Sequence, residues 1–176
     1  MAKATNSPHG DLSTVRIGVV GHGVVGSAFT ALVARQRDVI AARTGVLLDV
    51  VRIAVSDAGK HPSQVGGADV VTDAMAVATA KDVDLVVEVM GGTTLAGEVI
   101  RAALEAGKPV VTANKALLAA RSAEFFKIAD ERGIDLLFEA AVCGGIPLIR
   151  PLRESLRGEP IRRVLGIVNG TTNYIL

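Results

Sequence analysis

Three groups of residues in this 176-residue chain have the types and spacing that chemistry requires. Gly21-His22-Gly23-Val24-Val25-Gly26 follows an apolar run and puts glycines at the first, third and sixth positions of a turn. Gly21 permits a sharp bend, Gly23 lacks the Cβ that would keep a phosphate away, and Gly26 lets a helix pack closely on the preceding strand. A helix opening there offers the N–H groups of Val24 and Val25 and partial positive charge, which suits a dinucleotide pyrophosphate. Thr112-Ala113-Asn114-Lys115 supplies an ammonium group at a strand end. Such a group can orient a cofactor, hydrogen-bond a substrate oxygen or donate a proton. The dipole at a helix start disfavours a cation, so Lys115 is poorly explained as surface decoration. Glu139, followed by a tight turn through Val142, Cys143, Gly144, Gly145 and Ile146, combines a carboxylate with exposed carbonyls, a donor set for a hard cation.

Each group also has a plainer reading. The glycines can serve packing alone, Lys115 can be a surface residue, and Cys143 reads better as a small buried thiol than as a nucleophile, because no base lies near it in sequence. Gly91-Gly92-Thr93-Thr94 lies after another apolar run. Gly92 would permit close approach beneath a cofactor, and Thr93 or Thr94 would cap the next helix. Asp57, 31 residues beyond Gly26, is the candidate for the acidic residue that bonds the adenosine ribose. A carboxylate there favours NAD, whereas neighbouring Lys60 and His61 argue for NADP, so both stay open. Asp57 as an ordinary turn residue is the alternative. The histidines His9, His22 and His61 lack metal-ligand spacing.

The elements that must position these residues alternate. Strand Val15–Val20 leads into a helix from Val24 to about Arg35, with Arg35–Leu48 as an extended connection to an apolar run at Leu47–Val55. Gly59–Gly67 reads as a loop, Ala68–Val71 as a short strand and Ala74–Ala80 as a short helix. Strand Asp84–Val89 precedes a helix carrying Leu95, Val99 and Ala103, which stops at Gly107. Pro109–Thr112 is a strand, and a helix through Leu118, Phe125, Ile128 and Ala129 ends at Gly133. Ile134–Ala140 is a further strand. Pro147 starts a helix with Leu148, Leu152 and Leu156 facing inward, and Arg162–Val168 alternates as a final strand.

This pattern predicts an α/β fold, a doubly wound parallel sheet of the Rossmann-like dinucleotide-binding type. Residues 1–14 are expected to be a loose tail, 15–140 the dinucleotide-binding domain, and 141–176 the start of a second, α+β substrate and dimerisation domain. The chain stops at Tyr174-Ile175-Leu176 in mid-pattern, which predicts a truncated protein. With 49% hydrophobic, 21% charged and only 3% aromatic residues, it reads as soluble and globular. A net charge of +1 gives no reason to expect nucleic acid or a membrane surface. One cysteine excludes an intrachain disulfide and points to a reducing, cytoplasmic setting.

In this order, the segments Gly21–Ser27, Val111–Lys115, Phe138–Pro147 and Gly166–Leu176 resemble homoserine dehydrogenase, and the similarity covers Val15–Leu176. The resemblance implies an oxidoreductase that interconverts L-aspartate 4-semialdehyde and L-homoserine with NAD or NADP, on the way to threonine and methionine. It implies that the glycine turn and Thr93 bind cofactor and that Lys115 sits near the nicotinamide and assists proton transfer. It also implies a sodium ion held by Glu139 and the main-chain oxygens of Val142, Gly144 and Ile146, and a homodimer when full length. Ser56-Asp57 stands where many members carry an arginine for the 2′-phosphate. The family's substrate-binding acids and second catalytic lysine come after Leu176, so this chain alone is expected to bind cofactor and turn over little. Phosphorylating aldehyde dehydrogenases share Thr171-Thr172-Asn173 but need a cysteine where this chain has Gly170. A non-catalytic NAD(P)-binding or regulatory module is the alternative.

Overall fold

The computed structural model describes residues 12–166. Its frame is one seven-stranded sheet in the order β3-β4-β2-β1-β5-β6-β7. The strands are β1 (Ser13–Val20), β2 (Val46–Ala54), β3 (Gln64–Val65), β4 (Ala68–Val71), β5 (Leu85–Glu88), β6 (Val110–Thr112) and β7 (Leu136–Leu137). Every pairing is parallel except β3 with β4, a hairpin closed by Gly66-Gly67.

Alternation along β1 explains why helices cover both faces. Ile17 and Val19 enter one apolar cluster with Ile53, Val55 and Val87. Val20 enters the other, with Val86, Ile100, Leu104 and Phe125. Helix α1 (Val24–Thr44) returns the chain to β2, while α2 (Ala74–Thr79), α3 (Thr94–Glu105) and α4 (Lys115–Arg132) pack in sequence, α2 on α3 and α3 on α4. The chain moves outward from β1 through β2 to β4, then crosses back to β5 on the other side of β1. The loops after β1 and β5 therefore diverge, which opens a crevice at the carboxyl ends of these strands.

Several expectations need correction. α1 continues nine residues past Arg35, to Thr44, so most of the long connection to β2 is helix. Nothing in 36–44 breaks a helix, and only Gly26, Val33 and Ala41 of α1 are buried, so no apolar stripe marks its length. The 59–67 loop contains a 3-10 turn at Ala58–Lys60 and strand β3. The last strand is only Leu136–Leu137, because the chain turns into a 3-10 helix at Glu139–Ala141. Helical structure resumes at Ile149, not Pro147, and becomes a π turn at Pro151–Ser155. Leu156 N–H reaches back five residues to Pro151 O at 2.9 Å, the bond that defines the π turn. Leu148 and Leu152 are half-buried, but Leu156 is exposed and not inward-facing. Residues 162–166 form no strand. Ser13 and Thr14 belong to β1, not to the tail; residues 1–11 and the Asn169–Leu176 motif lie outside the described residues. Among the described residues, no helix is long and apolar enough to cross a membrane.

Candidate functional site

The crevice holds a cavity of about 360 Å³ at the tips of β1, β2 and β5, with Gly21, His22, Gly23, Ser56, His61 and Met90 in its wall. The three glycines do different work. Gly21 has φ +100°, and a Cβ on it would lie 2.6 Å from Met90 N and Cα. Its N–H donates to Ala54 O at 2.9 Å, tying the turn to the end of β2. A Cβ on Gly26 would run into Gly21 O, so this glycine is demanded by packing. A Cβ on Gly23 would meet nothing within 4 Å. Gly23 is thus the glycine whose bare backbone faces open space, as close approach of a phosphate requires. Gly23 caps α1 without a side-chain bond, and the first turn of α1 has no acidic residue. The amides of Val24, Val25 and Gly26 there lack intrahelical acceptors, so the residues present fit a pyrophosphate.

The adenosine side is set by the segment after β2. Asp57 is not in the cavity wall. Its carboxylate caps the 3-10 turn, accepting from Gly59 N–H at 2.9 Å, and pairs with Lys60 at 3.2 Å. Ser56 and His61 line the cavity instead. The His61 ring stands edge-on to that of His22 with centroids 5.6 Å apart, and His22 Nε2 lies 3.0 Å from Thr30 Oγ1. Burial, then the proximity of His61, pushes the His22 imidazole below its ordinary pKa. This pairing joins the first loop to the 3-10 turn, a long-range contact with no signature in sequence.

On the other side of β1, Glu88 ends β5 with no exposed surface. Oε1 accepts from Met90 N–H at 3.0 Å and Gly91 N–H at 3.3 Å; Oε2 accepts from the Thr112 hydroxyl at 2.6 Å. Thr112 Oγ1 accepts from Asn114 N–H at 3.0 Å, and Asn114 Nδ2 donates to Gly92 O at 2.7 Å. Asn114 Oδ1 caps α4 by accepting from Leu117 N–H at 3.1 Å. Lys115, the first residue of α4, is exposed. The Asn114 bond brings Gly92 beside the start of α4, while Gly92, Thr93 and Lys115 all lie outside the wall of the cavity itself. Thr93 occupies the N-cap of α3 but its hydroxyl makes no capping bond. The sequence signal that could have found Glu88 is a lone carboxylate in an otherwise apolar strand, Leu85-Val86-Val87-Glu88.

The third group sits apart, beyond β7. Glu139 Oε1 accepts from Leu148 and Ile149 N–H at 2.6 and 3.1 Å, and Oε2 from Arg150 N–H at 2.7 Å. Burial alone would raise the Glu139 pKa, but these three amides outweigh it and hold the group below its ordinary value. Cys143 adopts φ +52°, and its carbonyl accepts from Ile146 N–H at 2.8 Å. Among the described residues, no backbone hydrogen bond reaches the Val142, Gly144 or Ile146 carbonyls.

Comparison with known proteins agrees with this geometry. The model of the homoserine dehydrogenase NAD-binding domain matches residues 21–139, and a second homoserine dehydrogenase model matches 147–176. The homoserine dehydrogenase of Corynebacterium glutamicum is 49% identical over 99% of this chain and 39% of its own length. That of Mycobacterium leprae is 48% identical over 94% of this chain and 37% of its own. The chain thus spans well under half the length of these relatives. Among solved structures, a homoserine dehydrogenase from Thiobacillus denitrificans superposes with TM-score 0.85 at 39% identity, covering 93% of this chain and 38% of that one. A hyperthermophilic archaeal homoserine dehydrogenase in complex with NADPH superposes with TM-score 0.67 at 26% identity, covering 82% of this chain and 50% of that one. A mostly parallel, doubly wound sheet with a glycine turn at its switch point, matched by that family model over most of its length, places this chain in the homoserine dehydrogenase family.

Proposed function

We propose that this chain is the nucleotide-binding part of an NAD(P)-dependent homoserine dehydrogenase that interconverts L-aspartate 4-semialdehyde and L-homoserine in the cytoplasm, for threonine and methionine synthesis. Residues 15–140 form the dinucleotide-binding domain, and 141–176 open a substrate and homodimerisation domain. One observation carries the reading: Gly23, directly before helix α1, lines the cavity at the tips of β1, β2 and β5, and the place of its missing side chain is open space.

Gly23, Val24, Val25 and Gly26 would hold the pyrophosphate through backbone amides, and Gly21, its own N–H given to Ala54 O, would shape the cofactor-binding turn. Ser56 and His61 would meet the adenosine ribose, with Asp57 shaping their turn. Because Asp57 is engaged with Gly59 and Lys60, it presents no bare carboxylate to a 2′-phosphate, and both NADH and NADPH are accommodated. Gly92, Thr93 and Lys115 would border the nicotinamide. The bound nicotinamide supplies the hydride. Lys115 would supply a proton to the aldehyde oxygen as it becomes an alkoxide. A sodium ion would be held by the Val142, Gly144 and Ile146 carbonyls, with Glu139, already bound to three amides, ordering their turn.

Titration of the protein with NADH and NADPH, followed by nicotinamide fluorescence, tests this reading. Saturable enhancement with both is expected. No binding of either up to about 1 mM by protein whose circular dichroism shows the α/β fold would overturn it, since that corresponds to less than about 4 kcal/mol of affinity.

A further inference from the structure

We propose that Glu88 is a positioning residue for the nicotinamide end of the site, a role that rests on the nucleotide-binding reading above. Its hydrogen bonds form a closed ring. Glu88 holds Met90 and Gly91, Gly92 O accepts from Asn114 Nδ2, Asn114 N–H donates to Thr112 Oγ1, and Thr112 donates back to Glu88. The ring joins two loops that the sheet alone leaves independent, the one after β5 and the one after β6.

β5 is otherwise apolar, and Glu88 is the acceptor for the Met90 and Gly91 N–H groups and the Thr112 hydroxyl, which an aliphatic residue there would leave unmet. The carboxylate's three donors are Met90 and Gly91, in the loop after β5, and Thr112, the last residue of β6. Asn114 caps α4 and precedes Lys115 directly, so the ring sets where Lys115 begins relative to Gly92. A dinucleotide lying across the switch point puts its adenosine half over β2 and its nicotinamide half over β5 and β6. Glu88 therefore governs the nicotinamide half, and the glycine turn after β1 governs the pyrophosphate.

The test compares NADH with ADP-ribose, which has the same adenosine and pyrophosphate but no nicotinamide. Affinities of the protein for both are measured by calorimetry, in wild type and in Glu88→Gln, Thr112→Val and Thr112→Ser. The wild type is expected to prefer NADH. Glu88→Gln and Thr112→Val should weaken NADH about tenfold and leave ADP-ribose within twofold; Thr112→Ser keeps the hydroxyl and should keep the preference. Thr112→Val decides the matter if Glu88→Gln does not fold. Equal losses for both ligands would mark the ring as merely structural and overturn the proposal, as would unchanged NADH affinity in Thr112→Val or a wild type without preference. A wild type that binds neither ligand overturns the nucleotide-binding reading itself, and this proposal with it.

Discussion

Two alanine substitutions in one motif separate fold from function. A methyl at Gly26 would collide with Gly21 O and come within 3.0 Å of Gly21 C and 3.3 Å of Val89 Cγ2. Gly21 has nowhere to go, because its backbone is bonded to Ala54 and abuts Met90. Overpacking against an immobile backbone costs about 3 kcal/mol. Alanine recovers about 1 kcal/mol through helix propensity. The net is about 2 kcal/mol, or a melting temperature lowered by about 4–8 °C for a domain of this size. Gly23→Ala meets no atom within 4 Å at φ −76°, a value any residue adopts. It costs about 0.5 kcal/mol as a poorer N-cap, a shift of about 2 °C at most.

Binding should follow a different order. The Gly23 methyl would occupy the space a phosphate needs, so NADH affinity should fall at least tenfold, about 1.4 kcal/mol, in a protein that melts almost normally. Thermal melts and NADH fluorescence titrations on both variants read the two quantities. A Gly23→Ala protein that binds NADH like the wild type would refute the assignment of the cradle. An unchanged melt for Gly26→Ala would refute the packing account.

Two further outcomes follow from the carboxylates Asp84 and Glu139. The Arg16 side chain and backbone N–H hold the Asp84 carboxyl at about 2, below its usual 3.8; a depressed carboxylate stabilises above the unfolded pKa, so melts between pH 6 and 2 should show stability full above about pH 4 and lost toward pH 2. With Asp84 38% exposed, solvent reduces this to about 1 kcal/mol, and Asp84→Asn should flatten that part of the profile. Glu139→Ala removes the acceptor of the Leu148, Ile149 and Arg150 amides, so hydrogen exchange should quicken there while β1 and β5 amides stay protected; unchanged exchange at 148–150 would contradict the capping role.

What the sequence made legible is what short-range pattern encodes. The glycine spacing at 21, 23 and 26 announced the turn because each glycine answers a local steric demand. The strands through Val20, Glu88 and Thr112 stood out as apolar runs. The last turns of α1 were missed because Ala41 alone is buried there, which makes no apolar stripe. β3 escaped notice because two residues cannot show a period, and the hairpin depends on partners in β4. Asp57 stands out in sequence by its place after the second apolar run, and the bonds its carboxylate makes to Gly59 N–H and Lys60 within its own turn are not visible there. A side chain's local hydrogen bonds decide such cases, and spacing does not report them.

The two ends of the site meet at one contact. The missing Cβ of Gly21 faces the backbone of Met90, and Met90 N–H is held by Glu88. A side chain at position 21 would therefore push on the residue that anchors the Glu88 ring, so damage in the pyrophosphate turn would reach the nicotinamide loop. The converse transmission is weaker, because the glycine turn is also fixed by Ala54 O from β2. The two ends meet there because β1 and β5 are neighbours only at the point where the sheet reverses its winding. Loops that diverge from adjacent strands can share a ligand while touching each other at their roots. Glycine at 21 is thus required twice over, once for its own φ of +100° and once for the room it leaves Met90.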